Sequence, residues 1–149
     1  MIDSHEILST YITQHKLRKT FERDKVLDYI ENYDKHFTIK ELHKEIEKDM
    51  HMSLSGIYNI VELLVKAGLV VKHPFGEKEC EYESIKRAKN HYHKICRHCG
   101  AVKEYSDTKL QKSLSIKMFN AFNIEYQSVY TYGLCKKCYN KLNPKKKQK

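Results

Sequence analysis

No run of apolar residues in this 149-residue chain approaches the roughly 20 that a membrane-spanning helix needs. That argues against a helical membrane protein. The N-terminus, Met1-Ile2-Asp3-Ser4-His5-Glu6, lacks the basic-then-apolar order of a signal peptide. Without an export signal the thiols are expected in a reducing cytoplasm, where zinc is favoured over disulfides. Material for a large core is also lacking, because the hydrophobic fraction is 40%, enough for small cores only. One domain or two small ones fit this length. No nucleophile or oxyanion motif is present, which argues against an enzyme. There is no internal repeat beyond two Cys-x-x-Cys knuckles.

Acidic residues are scarce in one half only. Residues 85–149 hold 3 Asp and Glu against 16 Lys and Arg, whereas residues 1–84 hold 16 against 12. The formal net charge of +9 suggests an acidic partner. Four metal-bound thiolates would offset part of the second half's excess, so net charge does not locate a nucleic-acid surface. The tail from Pro144 to Lys149 is most simply a solvated end.

What the chain does have is concentrated in His91-Tyr92-His93-Lys94-Ile95-Cys96-Arg97-His98-Cys99-Gly100. Side chains alternate faces on a strand, so His91 and His93 would point one way and Cys96 the other. Cys96-x-x-Cys99 recurs as Cys135-x-x-Cys138, and four such thiolates suit a structural Zn²⁺. The rival for the knuckles is a thiol redox pair. For the histidines it is polar decoration of a strand. Cys80 is the odd cysteine and reads as a buried or unpaired thiol.

Along the chain, helical periodicity predicts helices over residues 3–15 and 21–33. Thr38-Ile39-Lys40-Glu41 is a capping box opening a third helix. Ser53 caps a fourth, which Gly68 ends by adopting a left-handed conformation. Leu69–His73 and Glu79–Glu83 read as strands joined at Pro74-Phe75-Gly76-Glu77. This order is that of a winged helix-turn-helix with one extra helix in front. The fourth helix is the candidate recognition helix, with Ser55, Tyr58 and Asn59 exposed. Tyr and Asn can reach base edges in a major groove, and a helix N-terminus favours phosphate. A plain helical bundle is the alternative. Residues 85–90 read as a linker. Strands over 91–96 and 101–105, a helix from Ser106 or Asp107 to about Phe122, a strand over 124–132 and a short last helix complete the chain. The expected class is α+β: a winged-helix DNA-binding domain over 1–84, then a small α/β dimerisation domain with a Cys₄ zinc site over 85–149. Three strands leave an edge that a second copy can pair with, so a homodimer is expected.

The winged helix, then His-x-His-x-x-Cys-x-x-Cys-Gly, then Tyr-Gly-x-Cys-x-x-Cys over about residues 10–142, resembles the ferric uptake regulator (Fur) family of metal-dependent transcriptional repressors. Arg23, Tyr58 and the Leu69–His73 strand extend the likeness into the helical half. The resemblance implies structural Zn(II) on Cys96, Cys99, Cys135 and Cys138. It implies a regulatory site from His36, Glu83, His91, His93 and Glu104. It also implies a double-stranded DNA operator, contacted by Ser55, Tyr58 and Asn59 and by Lys16, Arg18, Lys19 and Arg23. The effector it implies is Fe(II), with Mn(II) or Zn(II) as substitutes, acting on iron-uptake genes. Peroxide-sensing or zinc-sensing regulation are alternatives within the family, and a zinc-dependent hydrolase is a remote one. Two departures are Asn59, where the family often has Arg, and Glu22, where it often has Pro. Asn90, Tyr92, Gln111 and Gln127 stand where some members carry a further metal site, and they are poor ligands, so that site is expected to be absent.

Overall fold

A computed structural model describes residues 2–75, 78–116 and 121–144. The chain divides into two compact units. One takes in the described residues up to Pro74 and Lys78–Ala88; the other takes in Phe75 and the described residues from Lys89 onward.

The first unit begins with four helices, α1 (Ser4–Gln14), α2 (Phe21–Glu31), α3 (Ile39–Glu47) and α4 (Leu54–Lys66). Each presents one apolar stripe. Val26, Leu27 and Ile30 of α2, Leu42 and Ile46 of α3, and Ile57, Val61 and Leu64 of α4 are all 0% exposed, and Leu8 and Ile12 of α1 close over them. Burying such side chains is worth about 1.5–3 kcal/mol each, which makes this cluster the dominant stabilising term of the unit. The Thr38 capping box forms in full. Glu41 N–H donates to Thr38 Oγ1 at 3.2 Å, and Thr38 N–H donates to Glu41 Oε2 at 2.8 Å. Ser53 Oγ accepts from Gly56 N–H at 3.0 Å and so opens α4. Gly68 has φ 76°, the left-handed turn that stops α4.

The wing follows as β1 (Val70–His73) and β2 (Glu81–Ser84), antiparallel, with Val71 opposite Glu83 and His73 opposite Glu81. Phe37 adds one bridge to β2, with N–H to O distances of 3.0 and 2.8 Å to and from Tyr82. This bridge fixes the loop before α3 beside the wing. The stretch expected as a linker is not extended: Ile85–Ala88 forms a one-turn helix, α5. Ile85 and Ala88 are its buried anchors and pack with Val71, which the two charges between them, Lys86 and Arg87, mask in the sequence.

The second unit is a three-stranded sheet in the order β4-β3-β5, where β3 is Tyr92–Cys96, β4 is Val102–Tyr105 and β5 is Tyr130–Gly133. β3 pairs antiparallel with β4 and parallel with β5. Helix α6 (Thr108–Ile116) lies between β4 and β5 in sequence, and α7 (Lys136–Leu142) follows β5. Asp107 caps α6, accepting from Leu110 N–H at 2.9 Å. The strand expected over 124–132 is shorter than its composition suggests. Only Tyr130–Gly133 pairs with β3, and residues 122–129 form no regular element. Strand propensity needs a partner to be realised. The helix expected to reach about Phe122 meets 117–120, which lie outside the described residues, as do Gly76, Glu77 and the tail 145–149.

Candidate metal centres

Cys96 ends β3, Cys99 lies in the turn after it, Cys135 precedes α7 and Cys138 is inside α7. One sulfur from each lies within 4.8 Å of all the others. Cys99 Sγ and Cys135 Sγ are 3.8 Å apart. A tetrahedral zinc with Zn–S bonds near 2.3 Å requires sulfur edges of about 3.8 Å, so the cage has the size of that ion. Gly100, with φ 74°, makes the first knuckle's turn, and its N–H donates to Cys96 O at 2.9 Å.

The two buried thiols are driven in opposite directions. Backbone N–H groups aimed at its sulfur, that of Cys135 first, bring Cys96 down to about 6. Burial, followed by the other three cysteines, pushes Cys138 up to about 12. The cluster thus favours some thiolate, while ionising all four sulfurs together needs a cation to neutralise them. A dication supplies that charge. This donor set fits a closed structural site and not a two-thiol redox pair. Cys80 stands apart from it as an exposed free thiol.

A second set of donors lies in the first unit. The Phe37–Tyr82 bridge brings His36 to β2, with His36 Nε2 at 3.3 Å from Glu83 Oε1. The Glu83 side chain is 0% exposed. A buried carboxylate is tolerated only with partners, and three are present. His73 Nε2 lies 2.5 Å from Oε1, His36 follows, and Arg87 Nη1 donates to Oε2 at 2.6 Å. Two ligands of one ion with bonds near 2.1 Å stand about 3.0–3.4 Å apart, depending on geometry. His36 and Glu83 have that spacing. His73 Nε2 is closer to the carboxylate than two ligands of one ion stand, at hydrogen-bonding distance. Neither His73 nor Arg87 is among the sequence-derived site residues. The signal for His73 was its place on the other arm of the hairpin, diagonal to Glu83, but that depends on a register the sequence does not state.

A third set lies in the second unit. His91 Nε2 and His93 Nε2 are 3.1 Å apart, as two neighbouring ligands of one ion would be, and both side chains are buried. His91 immediately precedes β3, and its ring meets that of His93 on one side, as alternation predicts. His93 lies opposite Glu104 across the β3–β4 pair, and Glu104 Oε1 is 3.9 Å from His91 Nε2. Tyr92, Gln111 and Gln127 line a separate cavity of about 290 Å³, which Asn90 does not line. Amides and a phenol are weak ligands for a divalent ion.

The remaining candidates sit on the first unit's surface. Ser55, Tyr58 and Asn59 are exposed on α4 and line a groove of about 490 Å³ with Lys40, Lys72 and Cys80. Lys16, Arg18 and Lys19 are exposed between α1 and α2, and Lys16 has φ 54°. Arg23 is half-buried, and its guanidinium donates to the Arg18 carbonyl.

The chain is 26% identical over 129 residues to the peroxide operon regulator of Bacillus subtilis, covering 85% of this chain and 88% of that one. It is 27% identical over 125 residues to the ferric uptake regulation protein of Bordetella parapertussis, covering 82% and 89%. Its fold matches the ferric uptake regulator from Pseudomonas aeruginosa solved with manganese, with a TM-score of 0.69 at 22% identity, covering 86% of this chain and 97% of that one. Residues 14–132 match the sequence profile of the ferric uptake regulator family, and the chain belongs to that family of metal-responsive regulators.

Proposed function

We propose that the chain is a Fe(II)-dependent, DNA-binding repressor of iron-uptake genes, acting in the cytoplasm as a homodimer, with Zn(II) held by Cys96, Cys99, Cys135 and Cys138. The observation that carries the regulatory reading is two nitrogen and oxygen donor sets, His36 with Glu83 at 3.3 Å and His91 with His93 at 3.1 Å, the latter with Glu104 3.9 Å from His91. Imidazoles with two carboxylates are borderline-to-hard ligands suited to Fe²⁺, with Mn²⁺ or Zn²⁺ as substitutes. Neither set alone fills the coordination sphere of such an ion. Together they supply five donors and neutralise its charge. Five donors also leave little of the open position that a hydrolytic zinc needs.

A dimer is supported by the exposed apolar side chains of the second unit: among the described residues Phe122, Tyr132 and Leu142 are exposed. A two-fold copy could cover such side chains. DNA contact is assigned to Ser55, Tyr58 and Asn59 for bases and to Lys16, Arg18, Lys19 and Arg23 for the backbone or minor groove, on the exposure of α4 and of the basic segment. Peroxide sensing is the second reading, favoured by the identity to the Bacillus subtilis regulator. The use of Glu83 and Glu104 where peroxide sensors tend to have aspartates favours iron. A cysteine-containing zinc sensor is disfavoured because Cys80 lines the α4 groove.

The test is metal analysis of protein purified without oxygen, followed by selection of its binding site from a random duplex pool with Fe²⁺, Mn²⁺, Zn²⁺ or chelator present. The expected outcome is one zinc per chain in every preparation and a specific site recovered only with the second metal. The same site recovered equally well with chelator would overturn the reading.

A further inference from the structure

We propose that Arg87 is the resident counter-charge of the regulatory carboxylate, and that its charge sets how much free ion is needed to fill the site. The inference rests on the metal-site reading above and deepens it. Glu83 is fully buried, and its carboxylate needs partners there, which His36, His73 and Arg87 supply. Before any ion arrives, the Arg87 guanidinium places a permanent positive charge on it. Nη1 donates to Oε2 at 2.6 Å. Arginine does not lose its proton in a protein, so this charge is present at every working pH.

The same side chain reaches in a second direction. Nε donates to the Asp34 carbonyl at 2.9 Å, two residues before His36. The one-turn helix α5 makes this possible, because it places Arg87 four residues after Glu83 with the first turn closed by Arg87 N–H on Ser84 Oγ at 3.4 Å. One fork therefore holds the loop that carries His36 and the carboxylate that His36 faces. The two carboxylate oxygens divide the work. Oε2 is taken by Arg87, and Oε1 is left facing His36 and His73. An ion binding at Oε1 meets a carboxylate whose charge is already shared with a fixed cation. Arg87 thus keeps the ligands in place in the metal-free protein and lowers the site's affinity. A sensor should fill only when the ion is abundant, and such a charge provides that threshold.

The experiment uses full-length, zinc-loaded protein titrated with Mn²⁺, the free ion being counted by its electron paramagnetic resonance signal. Arg87→Gln keeps hydrogen-bond donors and removes the charge, and it should bind Mn²⁺ at least about tenfold tighter, the effect one neighbouring charge commonly has on a carboxylate. Arg87→Lys keeps the charge without the fork and should stay close to the wild type. Glutamine binding that equals or falls below the wild type overturns the proposal, because Arg87 would then only position the ligands. If the glutamine variant does not fold, the lysine variant decides, and a large change in its affinity overturns the proposal. A wild type that takes up no Mn²⁺ beyond its zinc overturns the metal-site reading itself.

Discussion

His5 illustrates how much a single side chain can link. Its Nδ1 lies 3.1 Å from Asp24 Oδ1 and its Nε2 lies 2.7 Å from Asp28 Oδ1, so one ring ties α1 to two carboxylates of α2. A neutral imidazole has one N–H, and only the imidazolium donates to both. The hydrogen bond to Asp24 raises the His5 pKa most, burial works against it, and Asp28 adds to the rise. A histidine whose pKa is raised by folding contributes stability that is complete below its unfolded value and is lost as the pH rises through its folded value. Urea denaturation of wild type and His5→Gln, compared between about pH 5 and 8, should show the largest difference at the acid end, shrinking as the pH rises. A difference constant across that range would mean that His5 acts by packing alone. At this same scale the sequence was informative where chemistry is repeated at fixed spacing, as in the four cysteines and in His91 and His93. It was silent on His73 and Arg87, whose importance comes from sitting beside Glu83 across a hairpin register and a short helix.

Elements were legible where their ends carry local chemistry. Thr38 and Glu41 each accept the other's own backbone N–H, three residues apart, so no tertiary knowledge is needed to see α3 begin. Gly68 similarly marks where α4 stops. The failures lie where the cause is distant. α5 is held by the packing of Ile85 and Ala88 on Val71, and the last strand is trimmed to the four residues that find β3. The cap of α3 matters beyond its own helix, because Phe37 beside it makes the bridge that carries His36 to the wing. Thr38→Ala removes one leg of the box and should cost about 0.5–2 kcal/mol. It should appear as a lower urea midpoint with an unchanged slope, since the surface exposed on unfolding is the same. A loss outside that range, or a changed slope, would place Thr38 in a larger cooperative structure than one helix end.

On the scale of the whole molecule, the proposed regulatory donors are divided between two compact units, with His36 and Glu83 in one and His91, His93 and Glu104 in the other. An ion that takes ligands from both restricts the arrangements the units can adopt relative to each other. It favours DNA binding only as far as it binds the DNA-competent arrangement more tightly than the rest. The cysteine cage lies wholly in the second unit and is not part of that coupling. The two metals can therefore be separated by one substitution. His91→Ala should keep one zinc per chain and the dimer mass in sedimentation, because the imidazole is not a member of the sulfur cage. It should still weaken binding to the selected DNA site towards the level of metal-free wild type. Coupling of this kind usually spans roughly 5–150-fold, and by reciprocity that DNA should tighten Mn²⁺ binding to the wild type by the same factor. Both titrations belong at one ionic strength, since phosphate contacts make DNA affinity strongly salt-dependent. A His91→Ala protein that loses its zinc or its dimer would show that the two donor sets are not independent. A wild type whose DNA affinity is unmoved by the second metal would remove the link between metal and DNA altogether.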